Sequence, residues 1–356
     1  MREMIAEYLT DIKIESRQDF FEVVNMIAPI LGYWGVAEPM SGRKIMQFTP
    51  AKVRAKSYID FDIPKKSGGK RRISAPVKPL KAIQSVINIF LQSIFVPSSA
   101  VTGFVVGKSI KDNAEKHIGQ TCIYNTDLEN FFPSITKLMI RKALKRELGH
   151  KISSAEVINI ICRICTVPNE NGVEVLPQGA PTSPILSNIV LKSMDEEMMR
   201  LADRMHCRYS RYADDMTFSH RKQIRRMSKF WEDRILKIID KYGLKVNDKK
   251  TKTYAPGTRM EVTGVTVTNK TNVSRQYIKQ LRTLLHLWDK YGYSQAQAIY
   301  VKDFCHGVTK NLANVIDGKI NYLEMIKGKD DPTYQKYKRR FKTLEWKEKQ
   351  LKAKAI

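Results

Sequence analysis

The amino-acid sequence predicts an α+β fold in which hairpin-forming strands alternate with amphipathic helices and a helical C-terminal segment follows. Three observations carry this prediction. Period-two alternation beside turn residues appears at Tyr58–Ile73 and again at Arg208–Ser219. Between them, apolar residues recur at helical spacing, as in Ile83, Val86, Ile87, Phe90 and Leu91. From residue 276 onward the pattern is helical and rich in Lys and Arg. With 356 residues, 42% of them apolar, the chain can bury a sizeable core across two or three substructures.

In chain order, residues 1–55 read as a helical extension whose buried face is marked by Phe20, Phe21, Val24, Ile27 and Leu31. Tyr58–Pro64 alternates like a strand, Lys65–Lys70 turns, and Arg71–Ile73 starts back, giving a hairpin with a cationic tip. A helix over Leu80–Phe95 follows, then a strand over Cys122–Leu128. Helices are expected over Lys137–Leu148, Val157–Cys165 and Pro184–Leu201. Arg208–Ser219 reads as strand, tight turn, strand, with Asp214 and Asp215 at the turn. After a basic helix over Gln223–Tyr242, a hairpin runs out along Val262–Thr268 and returns at Val273 through Asn269–Asn272. Cys162 and Cys165 share an apolar helix and lack the further ligands of a zinc site, so they read as core thiols. His206–Cys207 and Cys305–His306 are isolated pairs.

Charge narrows the partners. Lys and Arg total 62 against 36 Asp and Glu, a formal net charge of +26. Such an excess calls for a polyanion to offset its self-repulsion, and nucleic acid fits best. An anionic membrane fits less well, because the basic residues are not gathered on one amphipathic helix. No run of about 18 uncharged apolar residues occurs, so no spanning helix is expected. The opening Met1–Glu7 lacks the basic-then-apolar plan of a signal peptide. Five scattered cysteines make no disulfide framework. The expected location is cytoplasmic, with no membrane partner.

Three aspartates hold the chemical argument. Asp214 and Asp215 fall where a tight hairpin projects adjacent carboxylates, and Asp127 ends a separate strand. Clustered carboxylates repel each other unless cations neutralise them. Oxygen ligands suit Mg2+, and carboxylates on neighbouring strands can hold two such ions for in-line phosphoryl transfer. Taken alone, an Asp-Asp pair is as readily a solvated turn.

The neighbouring residues supply a context. Tyr212-Ala213-Asp214-Asp215 resembles the YxDD box of reverse transcriptases, and Asp127–Ile135 resembles their first aspartate motif. Leu176–Pro184 resembles the intervening LPQGxxxSP loop, and Gly243–Thr251 the following GLxxNxxKT motif. The four occur in the family's order within residues 60–275. Asn113-Ala114-Glu115-Lys116-His117 and Val262-Thr263-Gly264 are similar to the NAxxH and VTG signatures of bacterial retron reverse transcriptases. Val101–Ile110 also looks retron-like, whereas residues 1–55 are longer and less familiar than the usual retron start.

The resemblance implies a right-hand polymerase fold of fingers, a palm with an antiparallel sheet, and a helical thumb. Residues 1–55 would be an N-terminal extension, 56–120 fingers, 121–255 palm with part of the fingers inserted, 256–275 a primer-grip-like hairpin, and 276–356 a basic thumb and tail. Asp127, Asp214 and Asp215 would be catalytic and, with Leu128, hold two Mg2+ ions, Mn2+ substituting. Lys70, Arg72, Phe131, Phe132, Gln178, Gly179, Tyr212 and Lys250 would bind the nucleotide. Within this set Phe132, five residues after Asp127, takes the place of the aromatic gate that crowds a ribose 2′-OH. Asn113, His117, Val262, Thr263, Gly264, Lys336, Lys338, Arg339 and Arg340 would bind RNA. For Lys70, Arg72, Lys250 and the C-terminal cluster a solvated surface is the plain alternative; for Phe132 it is a core position.

The implied activity is RNA-directed DNA synthesis from deoxynucleoside triphosphates. In retrons the template is a cognate structured noncoding RNA and the product a branched RNA–DNA hybrid that stays bound, with an effector protein, in antiphage defence. Two rivals remain: another bacterial defence-associated or group II intron-like reverse transcriptase, and an RNA-binding scaffold whose catalysis has lapsed.

Overall fold

The computed structural model describes residues 5, 7, 9, 12–33, 39–64, 68–221, 229–304 and 310–354. The hairpin-tip residues Lys65, Lys66 and Ser67, the expected helix start from Gln223 to Ser228, and the Cys305–His306 pair lie outside the described residues.

Helix α1 spans Arg17–Ile30 and begins in a capping box, where Ser16 accepts from the Asp19 amide and the Asp19 carboxylate accepts from the Ser16 amide. Phe20, Val24 and Ile27 are buried as the spacing predicts, while Phe21 and Leu31 are only partly covered. Strands β1 (Tyr58–Pro64) and β2 (Lys70–Pro76) pair antiparallel along their whole length, Tyr58 opposite Pro76 and Pro64 opposite Lys70. The chain continues through α2 (Lys78–Ile94), α3 (Ile110–Glu115) and β3 (Cys122–Asp127) to α4 (Lys137–Leu148) and α5 (Ala155–Cys165). Next come α6 (Ser183–Arg204), β4 (Arg208–Tyr212), β5 (Asp215–His220), α7 (Lys229–Lys241) and β6 (Lys252–Tyr254). Three short strands, β7 (Met260–Val262), β8 (Val265–Val267) and β9 (Thr271–Asn272), precede α8 (Arg275–Phe304), α9 (Leu312–Lys327) and α10 (Pro332–Lys354).

The chain divides into two compact units. The first comprises residues 1–108, 124–218 and 227–253. Its sheet has the strand order β4-β5-β3-β6. Helix α1 packs on α2, and α4 packs on both α5 and α6. Their apolar faces merge into one core with Phe90, Ile161, Leu186, Ile189 and Phe218 fully or almost fully buried. Cys162 and Cys165 belong to that core, and burial pushes each thiol up to about 12.

The second unit comprises residues 109–123, 219–226 and 254–356. Helices α8, α9 and α10 pack on one another around Leu281, Leu285, Trp288, Ile316, Ile320 and Phe341. Helix α8 is broken at Gly292, whose φ of 73° and ψ of 167° are not helical.

One predicted element is corrected. Val262–Thr268 is not a single strand: Thr263 and Gly264 have φ of 48° and 80°, so the chain reverses and Val262 pairs with Val265. Two successive positive φ angles make the mirror-type turn that joins twisted strands. Val267 then pairs with Thr271, completing a sheet of order β9-β8-β7. At the β4–β5 connection the turn residues are Ala213 and Asp214, while Asp215 opens β5.

Candidate active site

The sheet of the first unit sets the three aspartates side by side. A connection of two residues makes β4 and β5 antiparallel neighbours. The Leu128 amide donates to the Asp214 carbonyl at 3.0 Å, and the Asn247 amide to the Asp127 carbonyl at 2.8 Å. The end of β3 is thereby stitched to the β4–β5 turn on one side and to the segment before β6 on the other. A leucine side chain has no ligating atom, so any metal contact of Leu128 is through its backbone carbonyl.

The electrostatics follow from this crowding. Burial raises the Asp214 carboxyl above its ordinary range, and the charge of Asp127 adds to the rise. Asp215 is pushed up to about 7, by burial first and then by Asp127 and Asp214. Lys250 acts in the opposite sense on both, and its Nζ donates to Asp127 Oδ1 at 2.7 Å. Sheltered carboxylates raised by their neighbours' charge are relieved when a cation neutralises them. Among the described residues no three His, Cys, Asp or Glu side chains are gathered into a ready-made metal cage. What the aspartates offer is negative charge and hard oxygen donors, the ligand type that suits Mg2+.

The turn itself is held under strain. Ala213 has a φ of 59°, a left-handed conformation that costs a non-glycine residue about 1–2 kcal/mol. Arg211, wholly buried, donates from Nη1 to the Ala213 carbonyl at 2.9 Å. Its Nε and Nη2 hold the two carboxylate oxygens of buried Asp195 at 2.8 and 2.7 Å, and Tyr209 donates to the same carboxylate. Asn188 accepts from Arg211 and donates to the Gly103 carbonyl. Gly103 lies against the turn: a Cβ there would stand 2.3 Å from the Ala213 nitrogen. Sequence reasoning missed Gly103, Asn188, Asp195 and Arg211. The available signal was Asp195, a carboxylate set among Leu191, Met194 and Met198 on the apolar face of α6.

The expected nucleotide-binding residues gather around the same sheet end in part. The Gln178 carbonyl accepts from the Ser74 amide at 2.8 Å, so the LPQG loop is docked on β2. Gly179 permits this approach, since a Cβ at its φ of 136° would stand 2.8 Å from the Ser74 carbonyl oxygen. Lys70 and Arg72 are exposed on the hairpin and face acidic partners: Arg72 meets Asp60 at 2.8 Å, and Lys70 meets Asp62 at 3.7 Å. Hydrogen bonds from Ser74 and Arg72 hold the Asp60 carboxyl below its usual range. Phe132 is half-buried, with its ring 6.0 Å from Phe104 and 5.1 Å from Phe131. Phe131, expected beside the nucleotide, has its side chain in the core with its ring against Phe132. Gln178 and Tyr212 are half-buried, and Gly179 is exposed.

Against this geometry, the family model described as reverse transcriptase (RNA-dependent DNA polymerase) matches residues 63–267. The chain belongs to the reverse transcriptase family. Within it, the chain is 34% identical over 244 residues to the retron Ec83 reverse transcriptase of Escherichia coli, covering 64% of this chain and 75% of that protein. It is 32% identical over 232 residues to the Ec86 retron reverse transcriptase of the same organism, covering 64% and 69%. The retron Mx65 reverse transcriptase of Myxococcus xanthus is 35% identical over 250 residues, covering 65% of this chain. The match spans 56% of that protein, a little over half its length. This reverse transcriptase is thus of the retron group, with a right-hand polymerase fold.

In the second unit of this retron-type reverse transcriptase, the two signature motifs meet. Asn113 Nδ2 donates to Thr263 Oγ1 at 3.5 Å, and His117 Nδ1 lies 2.6 Å from Ser219 Oγ. Asn113, His117 and Val262 are fully buried. These three side chains, expected to bind RNA, are instead enclosed by the protein, Asn113 against Thr263 of the turn and His117 against Ser219. Thr263 is half-buried and Gly264 exposed. In the C-terminal cluster, Lys338 pairs with Asp317 and Arg340 with Asp289. Lys336 and Arg339 are exposed and carry no ion pair among the described residues. No helix among the described residues is long and apolar enough to cross a membrane.

Proposed function

We propose that this protein is an RNA-directed DNA polymerase that copies a structured noncoding RNA by nucleotidyl transfer. The observation that carries the reading is the crowding of Asp127, Asp214 and Asp215 at one end of the β4-β5-β3-β6 sheet, where burial and neighbouring carboxylates raise the Asp214 and Asp215 carboxyls. Asp127, Asp214, Asp215 and the Leu128 carbonyl would hold two Mg2+ ions, or Mn2+ in their place. When bound, these ions polarise phosphoryl oxygens and neutralise charge that develops during transfer.

The chain's own residues supply the rest. Lys70 and Arg72 exchange their carboxylate partners for the triphosphate, the Arg fork offering two parallel hydrogen bonds. Both ion pairs are exposed, so little is lost in breaking them. Gln178 and Tyr212 border the incoming nucleotide, and Phe132 crowds the position of a 2′-OH. Lys250 keeps the Asp127 carboxylate charge-matched in the free protein.

The retron reading goes further. It assigns a cognate RNA as template, priming from a guanosine 2′-OH in that RNA, and a branched RNA–DNA product that stays bound. It also places the protein in the cytoplasm, in antiphage defence with an effector protein. The NAxxH and VTG motifs and the retron relatives support this reading. The test is incubation of the protein with RNA encoded beside its gene, Mg2+ and deoxynucleoside triphosphates. DNA joined to the RNA and released by debranching enzyme is the expected result. Synthesis only from annealed 3′-OH primers would point to the other bacterial reverse transcriptases, and RNA binding without synthesis to a scaffold.

A further inference from the structure

Beneath the Ala213–Asp214 turn lies an ion pair that the proposed chemistry does not use. Arg211 and Asp195 are both wholly buried. A buried pair of this kind contributes little net stability compared with well-packed apolar residues of the same volume. Its geometry gives it another use. With Nε and Nη2 locked on Asp195, the remaining arm of the guanidinium can point only where the fork directs it, at the Ala213 carbonyl. Asn188 ties the same guanidinium to the Gly103 carbonyl, and the Gly103 backbone closes on the Tyr212–Ala213 peptide from outside. The left-handed residue is therefore gripped on both sides, immediately before the two adjacent carboxylates.

We propose that Arg211 is a positioning residue for the catalytic turn. Its planar fork, aligned by Asp195 and Asn188, fixes the Ala213 peptide and so sets where the carboxylates of Asp214 and Asp215 stand. The inference rests on the reading of those aspartates as metal-holding. Lysine cannot replace arginine here: a single ammonium can satisfy Asp195 but cannot hold the Ala213 carbonyl along a second fixed direction.

Four proteins test this: wild type, Asp215→Asn, Arg211→Lys, and the triple variant Tyr209→Phe/Asp195→Leu/Arg211→Met. The triple variant removes the charges together with the hydroxyl that would otherwise lose its partner. Thermal unfolding, RNA binding, Mn2+ binding to RNA-free protein by electron paramagnetic resonance, and primer extension in Mg2+ are measured for each. Both Arg211 variants should fold and bind RNA as wild type does. Their Mn2+ binding should weaken roughly tenfold, as when a group orienting metal ligands is lost. Extension at saturating nucleotide should fall about 100-fold, with the nucleotide KM little changed. Wild-type Mn2+ binding and extension in the folded triple variant would overturn the proposal. If the triple variant does not fold, Arg211→Lys decides alone. Wild-type behaviour of Arg211→Lys, or its failure to fold as well, assigns the pair to stability and overturns positioning. The Asp215→Asn arm keeps the two readings apart. Full extension by that variant sinks the metal assignment itself, whereas its inactivity beside fully active Arg211 variants sinks only the present inference.

Discussion

Two hairpin turns in this protein place a non-glycine residue in left-handed backbone, and they are secured by different means. At Ala213–Asp214 the restraint is charged and wholly buried, with hydrogen bonds of 2.9 Å or less from Arg211 to the turn and to Asp195. At Thr263–Gly264 the second residue is glycine, and the contacts to Thr263 Oγ1 are long, 3.5 Å to Asn113 and to the Ile110 carbonyl. Space around the two turns differs as well. Gly103 has no room for a Cβ beside Ala213, whereas a Cβ on Gly264 meets nothing within 4 Å. The turn that bears the proposed catalytic carboxylates is held from outside by several elements, and the other relies chiefly on its own backbone preference.

This contrast can be broken from its strong end. Asp214→Asn or Asp215→Asn keeps the shape of the first turn and removes a charge. Extension should fall by about 1000-fold or more, the scale of losing a charge-stabilising group in phosphoryl transfer, with RNA binding intact in a titration. Gly103→Ala leaves every aspartate in place but drives a methyl into the Tyr212–Ala213 backbone. A displacement there of the order of 1 Å should lower extension about 100-fold, measured in a single-turnover assay beside a thermal scan.

Other changes sharpen the contrast by leaving the first turn alone. Phe132→Ala opens space beside the sugar, and discrimination against ribonucleotides should fall by about 10- to 100-fold, the range for a changed steric contact. Equal incorporation ratios for variant and wild type would make Phe132 a packing residue. In the second unit, Lys336→Gln with Arg339→Gln removes the two cluster cations that carry no ion pair among the described residues. The slope of log affinity for cognate RNA against log salt should flatten by up to about 2, roughly one for each phosphate no longer neutralised. Extension of a pre-annealed primer–template should change less. Gly264→Ala should have the smallest effect on catalysis. It adds about 1 kcal/mol of backbone strain at a φ of 80°, visible as a modest drop in the unfolding midpoint while generic extension stays near wild type.

What could be read from the sequence follows the range over which each signal acts. Helix α4 was legible to the residue, because Thr136 caps it and apolar spacing persists to Leu148. The placement of the aspartates at a strand end and a turn was legible because each lies inside a contiguous motif. The Arg211 network was not, since Asp195, Asn188 and Gly103 come from other segments and their meaning depends on being packed together. Val262–Thr268 was misread because β-branched alternation continues on both sides of Gly264 and hides the reversal. For Asn113 and His117 a related reason applies: a polar residue in a motif looks like a surface contact, and only packing shows that its side chain is enclosed.

The β1–β2 hairpin has a consequence for the timing of local motion. Its strands pair over seven residues, yet nearly all of β1 and the first half of β2 are exposed. A two-stranded ribbon of this kind has little stability of its own. The stitch between Ser74 and Gln178 fastens it near one end only. Amide hydrogen exchange along the ribbon should therefore be graded, slow around Ser74 and progressively faster toward Lys70. A ribbon anchored beside the LPQG loop thus opens first at the end that bears Lys70, while its base keeps register with Gln178.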